Sequence, residues 1–359
     1  MLDLKTLTAT VQKNCHISDA QYAGQYTLCI YLLKMREYYR WEMTIPQSHA
    51  LPKEAIGSWL SERESYWDEL SSQSFSPLTI GEHEFEPFDC EAINALLNPL
   101  GYVYSGGIGV FQKPYFFLGK LEQKSVHNDI TLLVSAKEYA RDLVAPPAML
   151  LGDTVFIRTE CLRRMIWERI EEWRLKKQPD TAMARALACY SSLLPTDDHG
   201  LEALLDQMTD NERDAVLLHE IGEAQAQPLL GADWEKLLAA LPPRAIAGLI
   251  VRAVRDHLAD SLSTLPALIE SQNHASLHFY FANLNGLRRE LYPEALQAYQ
   301  SWVDSGNLAT LEQLCQQAQQ RWLALAQHIL ELYSAENDID TLATAIENLS
   351  DINHPGAHA

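Results

Sequence analysis

His219 and Glu223 stand four residues apart in LLHEIGEAQAQ, residues 217–227. That spacing puts an imidazole and a carboxylate one turn apart on one helix face, where both can meet a common ion. A zinc-peptidase helix requires a second histidine at the fifth position, with the glutamate beside the first histidine acting as base on metal-bound water. His219 and Glu220 fit that pattern and Glu223 breaks it, so a metallopeptidase is rejected. What remains is a carboxylate and imidazole site inside a helical bundle, sharing one or two ions among several helices.

The next two helical stretches supply partners. Over 244–262 the register Ile246, Ile250, Ala253, His257, Asp260 sets His257 and Asp260 along an apolar stripe, where each needs a polar partner. Over 266–289, His274, His278, Phe281 and Asn285 form another stripe, and Glu37 lies in line with the apolar positions of an earlier helix. The candidate metal ligands are therefore His219, Glu223, His257, Asp260, His274, His278 and Glu37. Such a mixed set favours iron, manganese or zinc over copper or a sulfur cluster. With iron and open coordination positions it points to a non-haem iron oxidoreductase, mononuclear or dinuclear, acting on an unknown small molecule. Ala215, Gly222 and Ala226 share the face of His219 and let a neighbouring helix come close.

A reading without chemistry stands beside this one. Glu220 and Glu223 are then solvated or paired with arginines, His219 is satisfied by a backbone carbonyl, and His274 and His278 line an inter-helix groove. The protein becomes a non-catalytic helical adaptor whose tryptophan- and tyrosine-rich helices dock a protein partner.

Composition narrows the partners. Forty-eight acidic against 28 basic residues give a formal charge of −20, which repels phosphate backbones and anionic membrane surfaces, so neither nucleic acid nor membrane is expected. There is no run of 18 apolar residues and no signal-peptide pattern at MLDLKTLTATVQKNC, which predicts a cytoplasmic protein. Six scattered cysteines without a C-x-x-C pair read as reduced thiols.

The elements that must position the site are mostly helices. Ser18-x-x-Gln21 reads as a capping box opening a helix that runs to Pro46, and a second helix follows Pro52 through Trp59 to Leu70. Between about 100 and 135 the period changes to short β-branched and aromatic runs, predicting a small antiparallel β-meander, with Gly106, Gly107 and Gly109 in a tight turn. Helices are expected at 160–177, 182–194, 201–207, 210–226, 233–240, 244–262, 266–289, 293–304, 308–333 and 338–349. The fold class is mainly α, a multi-helix bundle with that meander as an insert. The expected domains are 1–178, N-terminal helices plus the β-insert, and 200–350, a C-terminal helical bundle, with 351–359 a disordered tail.

Overall fold

The computed structural model describes residues 2–352 apart from 110, 111, 128, 177, 179, 192, 193, 196, 243 and 244. They form two compact units, Met1–Glu168 with Pro195–Thr209, and Arg169–Leu194 with Asp210–Ala359. The protein is mainly helical, at 67% helix. Among the described residues no helix is long and apolar enough to cross a membrane.

The first helix starts well before the Ser18 box. α1 spans Leu4–Tyr22, capped by Asp3, whose carboxylate accepts from the Thr6 backbone N–H at 3.1 Å. The cause is the stripe Leu7, Val11, Cys15, which is buried against Tyr104, Phe116 and Leu118 and extends the helix toward the N-terminus. Ser18 caps nothing and donates its hydroxyl to the Pro114 carbonyl. A 3₁₀ turn over Ala23–Gln25 separates α1 from α2 (Leu28–Glu42), and α3 (Lys53–Leu70) follows Pro52 as expected.

The β-structure is larger than a meander. After the two-stranded hairpin β1 (Leu78–Ile80) and β2 (His83–Phe85), and the helix α4 (Cys90–Leu97), come β3 (Tyr102–Ile108), β4 (Pro114–His127), β5 (Ile130–Arg141), β6 (Ala148–Leu151) and β7 (Thr154–Arg158). They form a curled five-stranded mixed sheet in the order β3-β4-β5-β7-β6. Only β3, β4 and β5 follow the antiparallel meander; β7 pairs parallel with β5, Leu132 opposite Val155. β6 and β7 are joined as an antiparallel hairpin through Gly152 and Asp153, a turn signal the sequence carries, whereas the parallel pairing of β7 with β5 leaves no such local signature. Gly106 and Gly107 lie inside β3 rather than in a turn. Any side chain at Gly107 would run into the Tyr115 ring on the neighbouring strand. Phe116 and Leu118 face one core cluster while Phe117 faces another with Leu133 and Phe156, the alternation expected of a strand covered on both sides.

Two helices have residues in both units, α5 (Thr159–Lys176) and α7 (Asp198–Leu230). The latter is one helix where two were expected; Thr209 stays within it, its hydroxyl donating back to the Leu205 carbonyl at 2.6 Å. α6 (Ala182–Ala188) ends earlier than the expected 182–194, of which 192 and 193 lie outside the described residues. Then come α8 (Ala232–Ala240) and α9 (Ile246–Ala259), the latter passing into a π turn over Asp260–Thr264. The expected 266–289 helix is three pieces: α10 (Leu265–Glu270), α11 (His274–Asn283) and α12 (Gly286–Leu291). Asn273 restarts the chain as the N-cap of α11, accepting from Ser276 N–H at 3.1 Å, and Gly286 opens α12 at φ +51°. α13 (Pro293–Ser305), α14 (Ala309–Ala335) and α15 (Ile339–Ile352) complete the chain; of the expected tail, 351 and 352 close α15 and 353–359 lie outside the described residues. One continuous core, with Trp234, Val254, Leu258, Trp322 and Ile346 near its centre, fills the second unit.

That unit also buries a carboxyl at the meeting of α7 and α11. Glu212 accepts from Ser276 Oγ at 2.9 Å and Asn211 Nδ2 at 3.1 Å. Burial pushes it from 4.5 up to about 7, against those hydrogen bonds. Folding therefore takes up a proton between the two values, so its contribution to stability is fully present below about pH 4.5 and is lost as pH rises through about 7. Replacing Glu212 with Gln should leave stability similar near pH 4.5 and raise it above pH 7.5, by up to about 3 kcal/mol. Urea midpoints against pH provide the check; a stability difference that does not change with pH contradicts it.

Candidate metal centre

α7 and the end of α9 meet at Gly222. A side-chain carbon there would run into the Ala259 carbonyl, so only glycine permits the approach. The close approach brings His219 and Glu223 of α7 beside Asp256 of α9 and Asp260 of the π turn. His219, Glu223 and Asp256 each offer a ligand atom within 4.8 Å of the others.

Asp260 organises the site. It is 2% exposed and accepts from His219 Nδ1 at 2.7 Å, Tyr280 OH at 2.9 Å and Thr264 Oγ1 at 3.1 Å, with the Arg288 guanidinium closing the ion pair. Burial opposes its charge, but Arg288 and then His219 outweigh that and hold the carboxyl well below the usual range. Because Asp260 takes Nδ1, the ring presents Nε2 toward Glu223, whose Oε1 lies 3.6 Å away. His219 is 26% exposed. Burial works against charging its ring, and the Asp260 carboxylate prevails with help from Glu223, so the imidazole is held well above the ordinary histidine range. Arg255 supplies the cation that faces the carboxylates, its Nη2 2.9 Å from Glu223 Oε1 and 3.4 Å from Asp256 Oδ1. A cavity of about 550 Å³, lined by Glu223, Gln227, Trp234, Glu235 and Arg255 among others, opens beside Glu223.

The other sequence candidates are engaged elsewhere. His257 donates Nε2–H to the Arg288 carbonyl, 3.0 Å away, and stacks on Trp322 with ring centroids 4.4 Å apart. Burial, then Arg288, lowers it to about 3, so the ring is neutral. His278 pairs with Tyr299 OH at 2.9 Å and stacks on Trp302, and His274 meets the edge of the same indole. Glu37 belongs to the N-terminal unit, where it pairs with Arg36 and Arg40. Of the seven candidates the structure thus joins His219, Glu223 and Asp260, and it adds Asp256 and Arg255. The signal for Asp256 was present: Asp256 and Asp260 stand four apart, as His219 and Glu223 do. Among the described residues no other group of three or more potential ligands is gathered.

The sequence matches a family of unknown function, DUF6866, through its N-terminal domain over residues 6–158 and its C-terminal domain over residues 163–352. No curated protein and no solved structure matches.

The helix contact at Gly222 sets the first test of this geometry. Gly222→Ala should lower stability by about 1–3 kcal/mol, since the added methyl must push α7 off Ala259. An unchanged urea midpoint would show that the two helices do not meet there.

Proposed function

Because the chain belongs to the DUF6866 family, whose description carries no activity, we propose from the site itself that it is a cytoplasmic protein binding one divalent ion through His219 Nε2, Glu223 and Asp256. The observation that carries the reading is the buried Asp260 holding His219 by Nδ1. Metal-ligating histidines are oriented in this way, with a carboxylate fixing the tautomer and raising the basicity of the free nitrogen. One imidazole and two carboxylates suit iron(II), manganese(II) or zinc(II). Three protein donors leave positions for water or substrate, the requirement for oxidoreductase chemistry at iron, and the cavity beside Glu223 gives a small molecule access. His274, His278, His257 and Glu37 have other partners, so the proposal is mononuclear. Loading must displace a proton from His219 and the Arg255 guanidinium from Glu223. Six free cysteines are in keeping with a reducing compartment.

A second reading, the helical adaptor, has one observation in its favour: the first turns of α2 leave Leu28, Ile30, Leu32 and Leu33 exposed. Metal content separates the two.

Protein purified anaerobically without a histidine tag, then dialysed with iron(II), manganese(II) or zinc(II), should carry about one equivalent per chain. Glu223→Gln should remove most of it while leaving the far-UV circular dichroism unchanged. Arg255→Ala should tighten binding roughly tenfold, because a competing cation is gone. Less than about a tenth of an equivalent after reconstitution, or full loading of Glu223→Gln, sinks the metal reading and favours the adaptor.

A further inference from the structure

A cavity of the N-terminal unit gathers buried arginine side chains. It encloses about 740 Å³ and is bounded by the end of α2, by β5, by the start of α5 and by Glu202. Arg141 and Arg164 reach its wall and are 1% and 8% exposed. Arg141 donates Nε to the Asp142 carbonyl at 3.4 Å and Nη1 to Cys161 Sγ at 3.8 Å, and its Nη2 has no hydrogen-bond partner. Its guanidinium lies over the ring of Trp41, another wall residue, 5.2 Å from the centroid. Arg164 gives Nη2 to the carbonyls of Val144 and Ala145 at 2.9 and 2.8 Å; its Nε makes no hydrogen bond and is 3.8 Å from Glu168 Oε1. Buried donors left in this state are rare in folded proteins and mark places where a partner belongs.

The carboxylates on the same wall have partners. Glu42 accepts both bonds of Arg63 at 2.7 Å, Glu202 takes Arg163 at 2.6 Å and the Ser48 N–H at 2.9 Å, Glu138 pairs with Arg158 and lies 3.9 Å from Arg141 Nη1, Glu160 accepts the Glu138 N–H at 2.8 Å, and Glu37 pairs with Arg40. The wall carries Arg40, Lys137, Arg141, Arg163 and Arg164 against Glu37, Glu42, Glu138, Glu160 and Glu202, but Arg141 and Arg164 keep N–H groups that nothing accepts. Their carboxylate neighbours stand 3.9 and 3.8 Å away, at Glu138 and Glu168, and buried guanidiniums so loosely paired favour an added anion. The neighbouring Lys34 reports the same field: burial, and then Arg164, hold its ammonium below the usual lysine range.

We propose that this cavity binds a small molecule through an oxyanion group, phosphate or carboxylate, received by the free N–H groups of Arg141 and Arg164, with Lys137 at the exposed rim and Trp41 a flat wall for the ligand's body. Guanidinium groups suit both anions because their paired N–H groups match two oxygens at once. This site is separate from the metal centre, and Glu223→Gln should leave it intact.

The test is calorimetric titration of the full chain at low ionic strength with inorganic phosphate and, separately, with succinate. One of the two should bind once per chain with a Kd on the order of 0.1–1 mM, and the better probe identifies the oxyanion. Arg164→Gln should weaken it by about tenfold and the exposed Lys137→Ala by about threefold. If Arg164→Gln fails to fold, Lys137→Ala decides. Absence of binding by both probes at about 10 mM, or unchanged affinity in the folded variants, overturns the proposal.

Discussion

A carboxylate taken out of water must be compensated on nearly every lone pair, and Asp260 is the place where the C-terminal unit meets that requirement. Its four partners come from four segments: His219 from α7, Thr264 from the π turn, Tyr280 from α11 and Arg288 from α12. Losing any one leaves a buried charge short of a donor, so the geometry of the candidate centre and the arrangement of those helices are the same fact. The π turn fits this picture. Starting a widened turn at Asp260 re-aims its side chain at the end of α9, the kind of irregularity that helices carry at functional sites.

The N-terminal unit solves a related problem with a different balance. Lys113 bridges Asp19 and Asp142 at 2.8 and 2.9 Å, and Arg158 is held by Glu138 beneath the ring of Phe117. The two carboxylates facing Lys113, Asp19 and Asp142, show the competition openly. Burial pushes Asp19 up to about 6 against the pull of Lys113, whereas for Asp142 Lys113 and Arg158 together overcome burial and lower it. Buried ion pairs add little net stability, but removing one partner strands a buried charge and is costly.

The sequence made the helical class legible, because 3.6-residue stripes such as Leu7, Val11, Cys15 recur wherever a helix has one buried face. It placed His257 and Asp260 on an apolar stripe where each needed a partner, and each has one; what periodicity could not say is that His257 turns to a carbonyl and an indole while Asp260 turns to His219. Boundaries failed where long-range contacts overrode local chemistry. The Ser18 box satisfies the capping formula, but its hydroxyl is claimed by Pro114, 96 residues away in the chain. The Gly152-Asp153 turn announces the β6–β7 hairpin, but nothing local announces that β7 then pairs parallel with β5. The oxyanion cavity was missed for a related reason: Arg163 and Arg164 look alike on a charged helix, yet Arg163 pairs with Glu202 and Asp206 while Arg164 is buried.

The central claim is that Asp260 fixes His219 so that Nε2, with two carboxylates, forms a nitrogen and oxygen site. X-ray absorption at the metal edge of the loaded protein tests that directly. The account predicts one imidazole and otherwise oxygen neighbours, with sulfur absent, and loss of the imidazole signature in His219→Gln. Two or more imidazoles, a thiolate, or an imidazole signature surviving in that variant would contradict it.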